Sequence, residues 1–223
     1  MKRLVDAQAG LQFERNLFEG EETKIGVWTS MQSSLVCPRA YGRRAGFELA
    51  AQRSNSRAWP VYLRPTGGGT VPQGPGIDNL VLAFNAPKGA VIEDVYRLLT
   101  KIIKRALGSC GSKLETGDTP GSFCDGAWNL STKHQKIVGT AQRWRPQKTG
   151  LPRVLAHALI LTTDTFQAGA NAVARLHQDL GLADVVSDAH TSLEAAFGLT
   201  ELPQDKLKQT AEEELAAFVA KAE

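Results

Sequence analysis

Cys124 lies in the run GSFCDGAWNLSTKHQKIVGTAQRWR, Gly121 to Arg145, with Ser122, Asp125 and two glycines around it rather than apolar residues. A cysteine used as a small hydrophobe sits among apolar neighbours, so this setting fits an accessible thiol. Its thiolate could attack an activated acyl group and split one acyl transfer into two steps; the plain alternative is an inert thiol. Further along, Lys136 precedes Ile137 and Val138, which would anchor it at a strand start, while Gly139, Thr140 and Ala141 keep the neighbouring surface small. A lysine fixed there could present a point charge to a carbonyl or phosphate oxygen. Lys133 reads as a solvated surface charge, His134 as a turn residue, and His157, inside VLAHALIL, as a satisfied core histidine.

A second stretch, RPTGGGTVPQGPG from Arg64 to Gly76, places five glycines and three prolines in thirteen residues. Adjacent glycines let ligand atoms reach the backbone and leave N–H groups free for an anion or a carbonyl. The loop lacks the G-x-x-x-x-G-K-[ST] pattern of a Walker motif, and a strand rather than a helix is expected after it, which excludes a dinucleotide fingerprint. A tight turn without a ligand remains the other reading.

Composition narrows the classes. Hydrophobic residues make up 42% and charged residues 22%, with a net charge of +3 and no dense Lys/Arg block, so nucleic acid is not an expected partner. No apolar run approaches the ~20 residues of a bilayer span, and acidic residues interrupt the N-terminus, so neither a membrane span nor a signal segment is expected and the setting is expected to be cytoplasmic. Cys37, Cys110 and Cys124 are odd in number and lack CxxC spacing, which argues against a disulfide framework and a metal site. Cys37 and Cys110 read as structural.

The elements that must position these groups follow from periodicity. Leu4, Ala7, Leu11 and Phe18 predict an amphipathic helix over 4–18, and 24–28 and 34–40 predict short strands. A second short helix is expected at 45–53. Strands at 60–64 and 78–86 should hold the glycine loop at both ends. Ile92, Val95, Leu98, Leu99, Ile102, Ile103, Ala106 and Leu107 predict a helix over 91–107. Residues 108–122 read as loop, and strands are expected at 127–131, 135–143 and 154–162. A helix capped by Thr163 or Asp164 should end at Gly181. Leu207, Ala211, Leu215 and Phe218 predict a C-terminal helix over about 203–222. Without strict βαβ alternation, one α+β domain spanning 1–223 is expected, with a mixed, largely antiparallel sheet backed by helices.

Together, RPTGGGTV and NLSTKHQKIVGTAQR resemble the lipoate-protein ligase and octanoyltransferase superfamily, whose catalytic domain shares the fold of biotin protein ligases and class II tRNA synthetases. The resemblance implies an acyl tunnel lined by Arg64, Thr66, Gly67, Gly68, Gly69 and Val71 and closed by Gly139, Thr140 and Ala141, with Lys136 on the acyl carbonyl or an acyl-adenylate phosphate. Pro65, Gln73 and Asn129 stand where ATP-using ligases often carry Arg, His and Asp, which puts Mg–ATP handling in doubt. Cys124 matches the position of the nucleophile in cysteine-dependent octanoyltransferases and amidotransferases. The implied activity is therefore transfer of an octanoyl or lipoyl group to the lysine of a lipoyl-domain protein through a Cys124 thioester. Its donor would be an acyl carrier protein or a lipoyl-carrying protein, and no cofactor would be required. An ATP- and Mg-dependent ligase acting on free lipoate or octanoate, and a non-catalytic acyl-binding protein, are the alternatives.

Overall fold

The computed structural model describes residues 1–148 and 150–220. Its elements run β1 (Lys2–Leu4), α1 (Ala7–Glu19), β2 (Lys24–Ser30), β3 (Ser34–Pro38), α2 (Phe47–Ser56), β4 (Val61–Arg64), β5 (Val71–Gln73), β6 (Ile77–Asn85), α3 (Ile92–Ala106), β7 (Glu115–Thr116), β8 (Leu130–Thr132), β9 (Gln135–Arg145), β10 (Arg153–Leu161), α4 (Phe166–Leu180), α5 (Leu193–Phe197) and α6 (Gln204–Val219), with short 3-10 turns at Arg39–Arg43, Gly111–Lys113 and Ser187–Ala189. The protein is α+β. A seven-stranded sheet has the order β1-β2-β6-β10-β9-β8-β7, and a three-stranded sheet has the order β4-β3-β5. Among the strands of the described residues, only the β1–β2 and β3–β4 pairs are parallel. No helix among the described residues is long and apolar enough to cross a membrane.

α3 shows how sequence builds this frame. Val95, Leu98, Leu99, Ile102, Ile103 and Ala106 recur at helical spacing and are buried against β6, β9 and β10 in the main core, while Ile92, counted in that stripe from the sequence, is half exposed. α6 covers the same core with Leu207, Ala211 and Leu215, and Glu214 ties it to α3 through Lys101 at 2.7 Å and through Arg105. The last residues expected in this helix, 221 and 222, lie outside the described residues. A second core packs α4 and the small sheet around Leu35, Phe123, Leu161, Phe166, Val173 and Leu176. α1 lies against β2, β6 and β10, and it can do so closely because residue 10 is glycine: a Cβ there would sit 2.3 Å from the Trp28 ring.

Several expected boundaries move. The opening helix starts at Ala7 rather than residue 4, because the Asp6 side chain accepts the Ala9 N–H at 2.8 Å and caps it; Lys2–Leu4 instead pair with Trp28–Ser30. The strand expected at 127–131 begins only at Leu130, since the Asn129 N–H closes a turn onto the Gly126 carbonyl at 3.1 Å. The cap of α4 is neither Thr163 nor Asp164 but Thr165, whose hydroxyl makes no capping bond and donates instead to the Pro75 carbonyl at 2.6 Å; the Asp164 carboxylate accepts the hydroxyl of Ser192, itself the N-cap of α5. β5, β7 and α5 are too short for a periodicity to announce them.

Candidate active site

Arg64 ends β4 in register with Pro38 of β3. It is buried, and its guanidinium donates to the carbonyls of Val36 (2.9 Å), Gly67 (2.9 Å) and Gly69 (2.7 Å), so the glycine loop curls around it. The loop then meets a second loop. A Cβ on Gly68, which has φ +94°, would lie 2.6 Å from Cys124 Sγ, and one on Gly69 would lie 3.2 Å from Cys124 Cα. The glycines clear room for the cysteine.

Cys124 is half-buried and has φ +48°, an uncommon conformation for a non-glycine residue. The Gly69 N–H donates to Sγ at 3.1 Å, and Arg64 Nη2 stands 3.8 Å from it. A backbone donor and a cation facing one sulfur are the partners that an anionic sulfur accepts.

The Cys124 loop is held from behind. Lys136, fully buried at the start of β9, donates from Nζ to the carbonyls of Phe123 (2.6 Å) and Cys124 (2.7 Å). Burial pushes its ammonium down to about 8, against the pull of a Cys124 anion and Asp125. The ammonium that the resemblance put on a substrate oxygen is thus held here by two backbone carbonyls. Asn129 adds Nδ2 to the Cys124 carbonyl (3.1 Å) and takes the Thr140 N–H on Oδ1 (3.1 Å). His190 stacks on the Phe123 ring, centroids 4.2 Å apart, and Phe123 N–H donates to its Nε2 at 2.9 Å. An N–H only donates, so Nδ1 carries the proton and donates to Ser187 O at 3.1 Å. Burial pushes this imidazole down to about 4.

Two cavities meet at the cysteine, sharing Cys124, Thr140 and Ala141. The inner one takes in Arg64, Val71, Gly139 and Leu159 among its lining residues. The outer one is bordered by Gly67, Gly68, Tyr96, Asp125, Trp128 and Gln142; among the described residues lining it, Asp125 alone is charged. Of the residues named from the sequence, Arg64, Val71, Cys124, Gly139, Thr140 and Ala141 line the inner cavity, and Gly67 and Gly68 line the outer. Gly69 reaches the sulfur through its N–H, Thr66 meets His157 Nε2 at 3.3 Å, and Lys136 lies behind the wall.

Sequence reasoning missed the far end of the inner cavity. Glu14 takes the Trp28 indole N–H on Oε1 (3.1 Å) and lies 3.1 Å from His157 Nδ1 on Oε2. His157, read as a core histidine, is a half-buried cavity residue. The available signal was Glu14 itself, a carboxylate in the buried stripe Ala7, Gly10, Glu14, Phe18 of α1. Gln73 is accommodated by a reciprocal amide pair with Asn79, 2.9 Å in each direction. Cys37 is structural as expected: buried, bonded to Thr70, and pushed up to about 11 by that burial. His134 and Lys133 are exposed at the β8–β9 turn.

A profile of the lipoyl protein ligase A/B catalytic domain matches residues 34–216. An uncharacterized protein of Cupriavidus necator is 43% identical over 143 residues, 58% of this chain and 56% of its own. An octanoyl-(GcvH):protein N-octanoyltransferase of Kyrpidia tusciae is 34% identical over 140 residues, 60% of this chain and 49% of its own. The chain spans about half the length of these curated relatives. Among solved structures, a lipoate-protein ligase A bound with ATP aligns with a TM-score of 0.67 at 15% identity, covering 97% of this chain and 84% of that one. A bipartite lipoate protein ligase of Thermoplasma acidophilum, studied with its E2 lipoyl domain, aligns at 0.61 and 16% identity, covering 97% and 82%. At such identities the likeness is one of fold.

Proposed function

The chain belongs to the lipoyl protein ligase A/B catalytic domain family, and from that premise we propose that it moves an octanoyl or lipoyl group onto the lysine of a lipoyl-domain protein through a thioester on Cys124. The observation that carries this reading is the sulfur at the junction of two cavities, with the Gly69 N–H at 3.1 Å and the Arg64 guanidinium at 3.8 Å. The inner cavity takes the acyl chain, whose burial supplies affinity without hydrogen bonds. The Cys124 thiolate attacks the acyl carbonyl; the S–C bond forms, the bond to the donor's carrier breaks, and the leaving group takes up a proton. The acceptor amine then forms the C–N bond and returns the thiolate. Lys136 would exchange one of its two carbonyl partners for the substrate oxygen while charge builds there. Donor and acceptor are a protein carrying octanoyl or lipoyl and a lipoyl domain, as in the names of relatives such as octanoyl-(GcvH):protein N-octanoyltransferase and lipoyl-(GcvH):protein N-lipoyltransferase. Three free thiols favour a reducing, cytoplasmic setting.

ATP and magnesium, which the ligase alternative needs, do not fit the outer cavity. Among the described residues that line it none is a lysine or arginine to meet a triphosphate, and both amide atoms of Asn129 are already bonded within the protein. The test is transfer from an octanoyl-carrier donor to a lipoyl domain without nucleotide, in wild type and Cys124→Ser. Wild type should transfer and the variant should lose roughly 10³-fold or more; equal rates would point away from Cys124, and a strict ATP requirement would favour the ligase.

A further inference from the structure

The outer cavity is unassigned by the thioester chemistry above, yet it opens onto the same sulfur. Its walls suit one kind of visitor. Tyr96 and Trp128, whose rings stack with centroids 5.7 Å apart and planes within 5°, line it together with Gly67 and Gly68, which bring no side chains. Asp125, next to Cys124 in the chain, also lines it. Its Oδ1 accepts the N–H of Thr119 (2.6 Å) and of Gly126 (2.8 Å), which fixes the carboxylate in place, and the residue is solvent-exposed. A cavity lined by two aromatic rings, with one carboxylate as the single charge among its described lining residues, suits a long aliphatic stem bearing a cation.

We propose that this cavity is the acceptor site, that the lysine side chain of the acceptor domain enters past Tyr96 and Trp128, and that Asp125 is a catalytic residue that binds its ammonium and removes its proton. The proposal rests on the thioester reading, since the amine needs an acyl-Cys124 to attack. Asp125 takes one proton from the ammonium, and the neutral amine attacks the thioester carbonyl. The C–N bond forms, the C–S bond breaks, Cys124 leaves as thiolate, and the second amine proton passes to solvent as the amide forms. No oxidant or nucleotide enters the balance. Oδ1 holds the loop and Oδ2 is left for the amine, so Asp125→Asn keeps an acceptor for the two loop N–H groups while deleting the charge.

The test separates the two half-reactions of wild type, Asp125→Asn and Asp125→Glu. Acyl-Cys124 is formed from an octanoyl thioester and followed by intact mass, then mixed with a lipoyl domain or with hydroxylamine, an amine already neutral at pH 7. Asp125→Asn should load normally and react normally with hydroxylamine, yet transfer to the lipoyl domain roughly 10²-fold more slowly at pH 7. That deficit should shrink as pH rises toward the acceptor lysine's own range, and Asp125→Glu should recover most of the rate. Transfer equal to wild type, or loading and both transfers lowered together, would overturn the role and leave Asp125 as a loop staple. Failure of wild type to form any acyl-Cys124 would sink this proposal and the thioester reading together.

Discussion

Gly68 shows how a residue with no side chain can determine a site. Its φ of +94° and the 2.6 Å approach that a Cβ would make to Cys124 Sγ both demand glycine. Gly68→Ala should cost about 1–3 kcal/mol from the backbone conformation alone, lowering the melting temperature, and should slow Cys124 acylation further by displacing the sulfur. An unchanged melting temperature and acylation rate would show that the two loops do not pack this way. Lys136 makes a related case. With Nζ removed, the carbonyls of Phe123 and Cys124 lose their buried donor. Lys136→Met should therefore slow acyl loading by roughly 10²-fold, measured in single turnover, while Lys133→Met, at an exposed turn position, should not. At this scale the sequence was informative where chemistry and spacing coincide: the glycine cluster, Cys124 and the Lys136 strand were all legible. Glu14 and His157 were not, because α1 and β10 lie far apart in the chain and only the folded sheet brings the carboxylate within 3.1 Å of the imidazole.

At the scale of elements, the segment around His190 is what the periodicity left dark. It has a 3-10 turn and a single bridge to Lys136, with no stripe to read, yet it backs the Cys124 loop through Phe123. Its histidine supplies a pH dependence. The imidazole sits at about 4 in the fold against an ordinary 6.5, so the unfolded chain binds the extra proton first as pH falls. The stability it contributes is present above about 6.5 and lost between there and 4, a change on the order of 3 kcal/mol. Urea unfolding at pH 7.5 and 5 should show wild type weakening more than His190→Gln, whose amide oxygen can still accept the Phe123 N–H; parallel losses would contradict the assignment. The long elements, by contrast, were legible. α3 keeps its apolar set over four turns, and β6 and β10 are apolar runs buried on both faces at the sheet centre. β5 and β7 are three and two residues long, shorter than any pattern can mark, and their positions follow from pairing rather than from their own sequence.

For the whole molecule, the large sheet and its helices serve to bring two loops, distant in sequence, to one point between two cavities. That arrangement fits a reaction in two steps, with the acyl chain parked in the inner cavity while donor and acceptor use the outer side in turn. It requires a covalent intermediate on one atom. The most direct measurement is intact mass of the protein after incubation with an octanoyl-carrier donor and no nucleotide. The account predicts a single octanoyl adduct that hydroxylamine removes, that peptide mapping places on Cys124, and that is missing from Cys124→Ala. No adduct from the donor, with octanoyl-adenylate forming instead from octanoate and Mg–ATP in wild type and Cys124→Ala alike, would contradict it.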